Sequence, residues 1–539
     1  MNSVTRRRFL ARTATIGGAA ATLTLPGFGL AGAAPADGTA TTAAAADLVV
    51  PADNRYPDLV RGANQRFVGA PDNVRVVRTT QQVVDVVQQA VTAGKRIAVR
   101  SGGHCYENFV ADPAVKVVID TSEMNAVTFD ATRRAFVIEA GSTLGNAYRS
   151  LFKGWGVTVP GGSCPTVGAG GHILGGGYGP LSRLHGLIVD HLYAVEVVVV
   201  DATGKACAVV ATRETSDPNR DLWWGHTGGG GGNFGVVTRY FLRTPGIDST
   251  DPTQLLPKPP TSLLVCQGTW AWSDLTEQSF STLMRNYAGW YERNSAPDSP
   301  NLGLYSQIKP FHKAAGIVGL AVQVDASAGN PDALLDSFLA TLNNGVSAPL
   351  RVSERRQLPW LHASLWNGFT GGDSPVTQRF KAKSSYLRRS FTDAQLSTIY
   401  RRLNDDYTNP GTLLFLSGFG GKINSVAASA TATAQRSSIL KVHYANFWTD
   451  PAEDARHIDW LRTTYQQIFA ASGGVPAPDV VNDGAFINYA DADLADPVWN
   501  TSSLAWHDLY YKGNYPALQS VKRRWDPLNI FHHALSVTA

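Results

Sequence analysis

The chain has 539 residues, of which 44% are hydrophobic and 17% charged, a composition typical of a globular protein with two domains or one large domain. The 47 basic and 43 acidic residues give a formal net charge of +4, without a long run of either sign. This balance excludes a nucleic-acid-binding stripe and favours small-molecule chemistry.

The N-terminus resembles a twin-arginine export signal. Thr5–Leu10 reads TRRRFL, and a weakly apolar stretch rich in Ala, Gly and Thr follows. Pro26 and several glycines interrupt that stretch, so a membrane-spanning helix is the weaker interpretation, and no later segment is long and apolar enough to span a bilayer. We expect residues 1–36 to direct secretion by the twin-arginine route. An ordinary secretory signal or a disordered basic tail is the alternative.

Residues 49–246 alternate strand-like and helix-like segments, which predicts α/β units. Strands are expected at 73–77, 97–100, 117–120, 135–139, 194–201, 206–210 and 236–242. One helix is expected to begin after Thr79 and end at Gly94, and a second to run over 144–152 and stop at Gly154.

The amino-acid composition changes at 249–261. This segment is rich in Pro, Asp and Thr, which predicts a linker between domains. Beyond it, apolar strands at 263–266, 317–324 and 413–416 and helices at 278–291 and 392–403 predict an α+β unit with an antiparallel sheet. No linker precedes the last segment, which is therefore expected to return to the first domain.

The four cysteines are Cys105, Cys164, Cys207 and Cys266. They form no CxxC pair and no His/Cys cluster at metal-ligand spacing, so we expect no metal site. Four cysteines in so long a chain also cannot form a disulfide scaffold.

Three glycine-rich stretches are the strongest functional signal. They are RSGGHCYENF at Arg100–Phe109, GGSCPTVGAGGHILGGGYG at Gly161–Gly179, and GGGGGNFGVVT at Gly228–Thr238. Glycine lets backbone amides approach a ligand closely, so this pattern suits a phosphate-bearing cofactor. None of the three has the order of a Rossmann fingerprint or of a P-loop, so the residues alone leave the cofactor open.

These stretches, together with FINYADADL at Phe486–Leu494 and YYKGNY at Tyr510–Tyr515, resemble the berberine-bridge-enzyme-like FAD-linked oxidases of the vanillyl-alcohol-oxidase superfamily. The resemblance covers nearly the whole mature chain. It implies an α+β, two-domain flavoprotein that holds FAD. The FAD-binding domain would span 49–246, an antiparallel-sheet substrate domain 247–500, and the C-terminal return 501–539.

The resemblance further implies that FAD is covalently bound at two points, through His104 to the 8α-methyl carbon and through Cys164 to ring carbon 6. A neutral imidazole nitrogen and a thiolate can each add to an electron-poor oxidised flavin. From loop context alone, a backbone-bonded histidine and a buried thiol are the alternative. Further cofactor contacts are expected from Arg100, Ser101, Gly102, Gly103, Gly168, Gly171, Gly175, Gly176, Gly235, Val237 and Asn514.

Tyr489 occupies the family's position for the tyrosine that takes the substrate hydroxyl proton while a hydride moves to flavin N5. An ordinary tyrosine has a pKa near about 10, so this role requires neighbouring groups that favour the phenolate. Tyr178 matches a position that faces the active site, where we expect a hydrogen bond to substrate or to Tyr489.

The chain departs from the resembled pattern at Leu413–Val426, LLFLSGFGGKINSV. One member of the family presents a tyrosine here for a second oxidation, whereas this chain has Ser417 and Phe419. A single oxidation of an alcohol to a carbonyl is therefore the expectation.

We expect a secreted FAD-dependent oxidase that acts on a hydroxyl of a bulky secondary metabolite or of its sugar, with O₂ as acceptor and H₂O₂ as product. The alternatives are an oligosaccharide oxidase that forms lactones, flavin-driven cyclisation, and a protein that only sequesters a ligand.

Overall fold

The computed structural model describes residues 45–327, 329–370 and 378–539. The expected export signal at residues 1–36 lies outside this part of the chain. Within the described ranges, no helix is long and apolar enough to cross a bilayer.

The described chain contains both strands and helices. The strands are β1 (Asp47–Val49), β2 (Asn73–Val76), β3 (Ile97–Arg100), β4 (Val117–Asp120), β5 (Val127–Asp130), β6 (Ala135–Glu139), β7 (Leu192–Val200), β8 (Ala206–Thr212), β9 (Val236–Leu242), β10 (Ser262–Ala271), β11 (Leu304–Pro310), β12 (Ile317–Asp325), β13 (Arg351–Pro359), β14 (Arg379–Leu387), β15 (Thr412–Gly418) and β16 (Leu440–Trp448). The α-helices are α1 (Tyr56–Leu59), α2 (Thr80–Thr92), α3 (Leu144–Trp155), α4 (Ala169–Leu174), α5 (Ser182–His185), α6 (Arg220–Gly225), α7 (Glu277–Arg293), α8 (Pro331–Asn343), α9 (Trp360–Ala363), α10 (Asn367–Thr370), α11 (Asp393–Leu403), α12 (Asp454–Ile468), α13 (Trp506–Tyr511) and α14 (Tyr515–Trp525).

Two sheets occupy the first half of the described chain. The four-stranded sheet has the order β1-β2-β4-β3, with β2, β4 and β3 parallel, and the five-stranded antiparallel sheet has the order β5-β6-β9-β7-β8. Helix α2 packs between them, because its apolar stripe contacts strands of both sheets. The Thr79 hydroxyl caps this helix by accepting a hydrogen bond from the Gln82 backbone N–H.

The third sheet is antiparallel and seven-stranded, with the order β13-β10-β12-β11-β15-β16-β14. Helices α7, α8, α11 and α12 cover one face, where the Ile308, Leu416 and Val442 side chains lie in one buried row. Side chains alternate between the faces of a strand, so Gln307, Ser417 and Lys441 form a row on the opposite face.

This architecture confirms the α+β prediction of helices with antiparallel sheets. The predicted end of the second helix at Gly154 is wrong, because α3 continues to Trp155 and the left-handed residue that terminates it is Gly156, with a φ of +68°. The predicted division into 49–246, 247–500 and 501–539 stays a prediction. The C-terminal segment contacts the third glycine-rich stretch, where the Val537 N–H donates to Asn233 Oδ1 at 2.9 Å.

A buried charge cluster lies at the β14 edge of the seven-stranded sheet. Its members are Lys381, Lys383, Arg462, Glu107, Asp491 and Asp493. Lys381 Nζ lies 2.5 Å from Glu107 and 2.8 Å from Asp491, and Lys383 Nζ lies 2.7 Å from Asp491. Burial alone would lower the pKa of Lys381, but the surrounding carboxylates outweigh burial and raise this pKa above its ordinary value.

We predict that Asp491→Asn destabilises the protein by about 3 to 5 kcal/mol, because it leaves two buried ammonium groups with too few carboxylates. Denaturant unfolding of the holoenzyme measures this loss. Asp53→Asn is the matched control, since it breaks an exposed pair with Arg55 and should leave the unfolding midpoint unchanged. Equal effects of the two substitutions would contradict the prediction.

Candidate active site

Two glycine-rich loops bring His104 and Cys164 together. One loop follows β3, and the other precedes α4. The loops pack backbone against backbone, because a Cβ placed on Gly102 would lie 2.3 Å from the Gly168 nitrogen. His104 Nε2 lies 3.0 Å from the Thr166 hydroxyl oxygen, and Cys164 Sγ lies 3.4 Å from the same oxygen. The two predicted attachment side chains therefore converge on one point.

The environments of His104 and of its neighbour Cys105 differ. Burial lowers the pKa of His104 below its ordinary value, so the imidazole is neutral at neutral pH. Burial raises the pKa of the Cys105 thiol to about 11, and its S–H donates to the Glu107 carbonyl at 3.2 Å. Cys105 is therefore a protonated thiol directed at the backbone.

The predicted cofactor residues of the two loops differ in how open they are to a ligand. Ser101 donates its hydroxyl proton to the Ala140 carbonyl at 2.6 Å, and Gly103 has a φ of +72°, which favours glycine. Arg100 donates to the Leu59 carbonyl at 2.6 Å. Gly171 is exposed, and a Cβ placed there would have no neighbour within 4 Å, so its backbone is open to a ligand.

The other predicted cofactor residues make close contacts within the protein. A Cβ on Gly175 would lie 2.1 Å from Asn488 Oδ1, and one on Gly176 would lie 2.5 Å from the Thr433 hydroxyl. Their roles toward FAD stay predictions, as do those of the remaining three. A Cβ on Gly235 would lie 2.5 Å from a β7 carbonyl, Val237 is buried on β9, and the Asn514 amide donates to carbonyls of residues 428, 431 and 432.

Tyr489 lies on a short 3-10 turn at Ile487–Tyr489. Its ring stacks on Tyr106 with a centroid distance of 5.0 Å and on His443 at 4.3 Å. Tyr106 is two residues from His104, so this stack places Tyr489 next to the first loop. Lys441 Nζ donates a hydrogen bond to the Tyr489 hydroxyl at 3.1 Å.

Lys441 is a candidate functional residue that the sequence analysis missed. It lies on β16 and is 4% exposed, and its Nζ lies between 4.2 and 4.6 Å from the ring centroids of Tyr489, Tyr178 and Phe486. In the described ranges, no carboxylate pairs with it. Burial lowers the pKa of Lys441 to about 7, and burial raises the pKa of Tyr489 well above 10.

The Tyr178 side chain lines this site. Its hydroxyl donates to the Gly418 carbonyl, and its ring lies 4.5 Å from Lys441 Nζ. No hydrogen bond joins Tyr178 to Tyr489 in the described structure. The two tyrosines are linked instead through Lys441.

Ser417 and Phe419 lie beside Tyr178. Phe419 packs against the Tyr178 ring with a centroid distance of 5.2 Å. The Tyr305 phenol on β11 accepts a hydrogen bond from the Gln307 amide at 3.0 Å, and burial raises the pKa of Tyr305 to about 12. A phenol from β11 therefore lies beside Tyr178, with ring centroids 6.3 Å apart, although residue 417 is itself a serine.

Comparisons with known proteins agree with this geometry. Residues 71–209 match the family model described as FAD binding domain, and residues 485–538 match the one described as berberine and berberine like. The chain is 53% identical to the aclacinomycin-N/aclacinomycin-A oxidase of Streptomyces galilaeus, over 100% of this chain and 99% of the relative.

Solved structures show the same likeness. The crystal structure of aclacinomycin oxidoreductase has 54% identity and a TM-score of 0.88, over 92% of this chain and 100% of that one. A glycopeptide hexose oxidase complexed with teicoplanin has 49% identity and a TM-score of 0.88, over 92% and 99%. These findings confirm the vanillyl-alcohol-oxidase-type fold with FAD as cofactor, and the chain belongs to the berberine-bridge-enzyme-like family of FAD-dependent oxidoreductases.

Proposed function

We propose that this enzyme oxidises a hydroxyl of a bulky secondary metabolite, on the compound itself or on an attached sugar, to a carbonyl. Dioxygen accepts the electrons and gives hydrogen peroxide. The observation that carries the proposal is the hydrogen bond between Lys441 and Tyr489, because it supplies a proton acceptor for an alcohol. The similarity to an aclacinomycin oxidase and to a glycopeptide hexose oxidase supports a bulky secondary metabolite as the substrate class.

The proton moves through the Tyr489–Lys441 pair. FAD, which the glycine-rich loops around His104 and Cys164 would hold, would supply the acceptor for the hydride on the carbon that carries the hydroxyl. Tyr489 alone stays a protonated phenol near neutral pH and cannot accept a proton, because burial raises its pKa well above 10. Lys441, with a pKa of about 7, takes the phenol proton when its amine is neutral, and the resulting ammonium stabilises the phenolate. The phenolate then takes the substrate hydroxyl proton.

We also propose that FAD is bound covalently at two points, through His104 to the 8α-methyl carbon and through Cys164 to ring carbon 6. The convergence of both side chains within 3.4 Å of one hydroxyl oxygen supports this arrangement. The neutral state of His104 supports it further, because only an unprotonated nitrogen is nucleophilic.

Export by the twin-arginine route is part of the proposal. The pattern TRRRFL at Thr5–Leu10 supports it. This route carries folded proteins, which suits an enzyme that is loaded with cofactor before export.

The rate of anaerobic flavin reduction by substrate should rise with pH through about 7, because Lys441 must lose its proton to accept one from Tyr489. Lys441→Met should move this rise above pH 10, where the phenol titrates alone, and slow reduction at pH 7 by about 10²- to 10⁴-fold. Stopped-flow absorbance measures both effects. The exposed Lys422→Met is the control, and an unchanged pH profile in Lys441→Met would refute the role.

Denatured wild-type protein should retain its flavin through two bonds. His104→Ala and Cys164→Ala should each retain it through one, and the double variant should release it. Peptide mass spectrometry identifies each bond. Cys105→Ser should keep both bonds, because its thiol is protonated and contacts the backbone. Complete release of flavin from denatured wild-type protein would refute the proposed double attachment.

The substrate class can be tested by peroxide release. Glycosylated polycyclic compounds should release peroxide, and the product should carry a new carbonyl by mass spectrometry. Free cello-oligosaccharides should be poor substrates. Faster turnover of the oligosaccharides to lactones would instead identify an oligosaccharide oxidase.

A further inference from the structure

The hydroxyl of Thr166 lies between the two candidate attachment side chains. Its oxygen is 3.0 Å from His104 Nε2 and 3.4 Å from Cys164 Sγ. Thr166 itself is exposed, while His104 and Cys164 are half-buried. One exposed hydroxyl group therefore contacts both half-buried nucleophiles.

The direction of the two hydrogen bonds decides which atoms are nucleophilic. A hydroxyl oxygen can accept one hydrogen bond while its proton is donated to another group. If the N–H of His104 Nε2 donates to Thr166, the lone pair of the neutral imidazole lies on Nδ1. The Thr166 proton is then directed at Cys164 Sγ, where it stabilises a thiolate.

We propose that Thr166 is a positioning residue for both covalent bonds to the flavin, an inference that rests on the double attachment proposed above. It presents His104 Nδ1 and the Cys164 sulfur through two linked hydrogen bonds, Nε2–H to Oγ1 and Oγ1–H to Sγ. The direction of these two hydrogen bonds activates both side chains at once. The two covalent bonds to the flavin therefore depend on the same hydroxyl.

Each attachment balances as an oxidation. One hydrogen leaves the flavin carbon and one leaves the side chain, while a C–N or a C–S bond forms. The two protons and two electrons pass to dioxygen, so each bond yields one molecule of hydrogen peroxide. Thr166 itself is not consumed.

The test compares Thr166→Val with Thr166→Ser in purified holoenzyme. Valine keeps the shape of threonine and removes the hydroxyl, while serine keeps the hydroxyl. Peptide mass spectrometry quantifies the histidyl and cysteinyl bonds separately, and total bound flavin reports folding. Thr166→Val should lose both bonds together by at least about tenfold while still binding flavin, and Thr166→Ser should remain within about twofold of wild type; a tenfold loss corresponds to about 1.36 kcal/mol.

The outcomes separate this inference from the proposed double attachment. Wild-type protein that lacks either bond would overturn the double attachment and the role of Thr166 with it. Doubly attached flavin in Thr166→Val, or loss of both bonds in Thr166→Ser, would overturn the role of Thr166 alone. If Thr166→Val fails to bind flavin, Thr166→Ala is judged by the same criteria.

Discussion

In the buried charge cluster, Lys381 and Lys383 on β14 bind carboxylates that come from two distant loops. Glu107 lies three residues after His104, and Asp491 lies two residues after Tyr489. Charges removed from water must find partners at short range, because an unpaired buried ion is costly. The attachment loop, the Tyr489 turn and the edge of the sheet are therefore fixed relative to one another.

The surroundings of Lys441 differ from those of Lys381 and Lys383. In the described ranges, its amine has aromatic faces and one phenol around it instead of carboxylates. Burial without a counter-ion disfavours the ammonium form, which lowers the pKa of Lys441 toward neutrality. Lys381 shows what happens when carboxylates are present, since its pKa is raised. The protein thus contains a lysine held as a cation and a lysine able to release its proton.

Much of the fold could be predicted from local signals. The Thr79 cap and the apolar stripe of α2 identified that helix, and apolar runs identified β7, β9 and β12. Strands β13, β14 and β16 were missed, because charged and polar side chains interrupt their apolar pattern. The motifs identified His104, Cys164 and Tyr489 as candidates. Lys441 and Thr166 were missed, because their roles depend on partners that only the folded chain brings close.

The alternating side chains of the seven-stranded sheet have a consequence for how such an enzyme diversifies. On β11, β15 and β16, the Ile308, Leu416 and Val442 row packs under helices, while neighbouring positions face the site. Positions that pack in the core and positions that face the candidate site therefore alternate along the same strands. Gln307 and Phe415 are only partly buried and lie on the site side, so they can vary without disturbing the core. The side chains that face the candidate site can therefore change while the packed row under the helices stays the same.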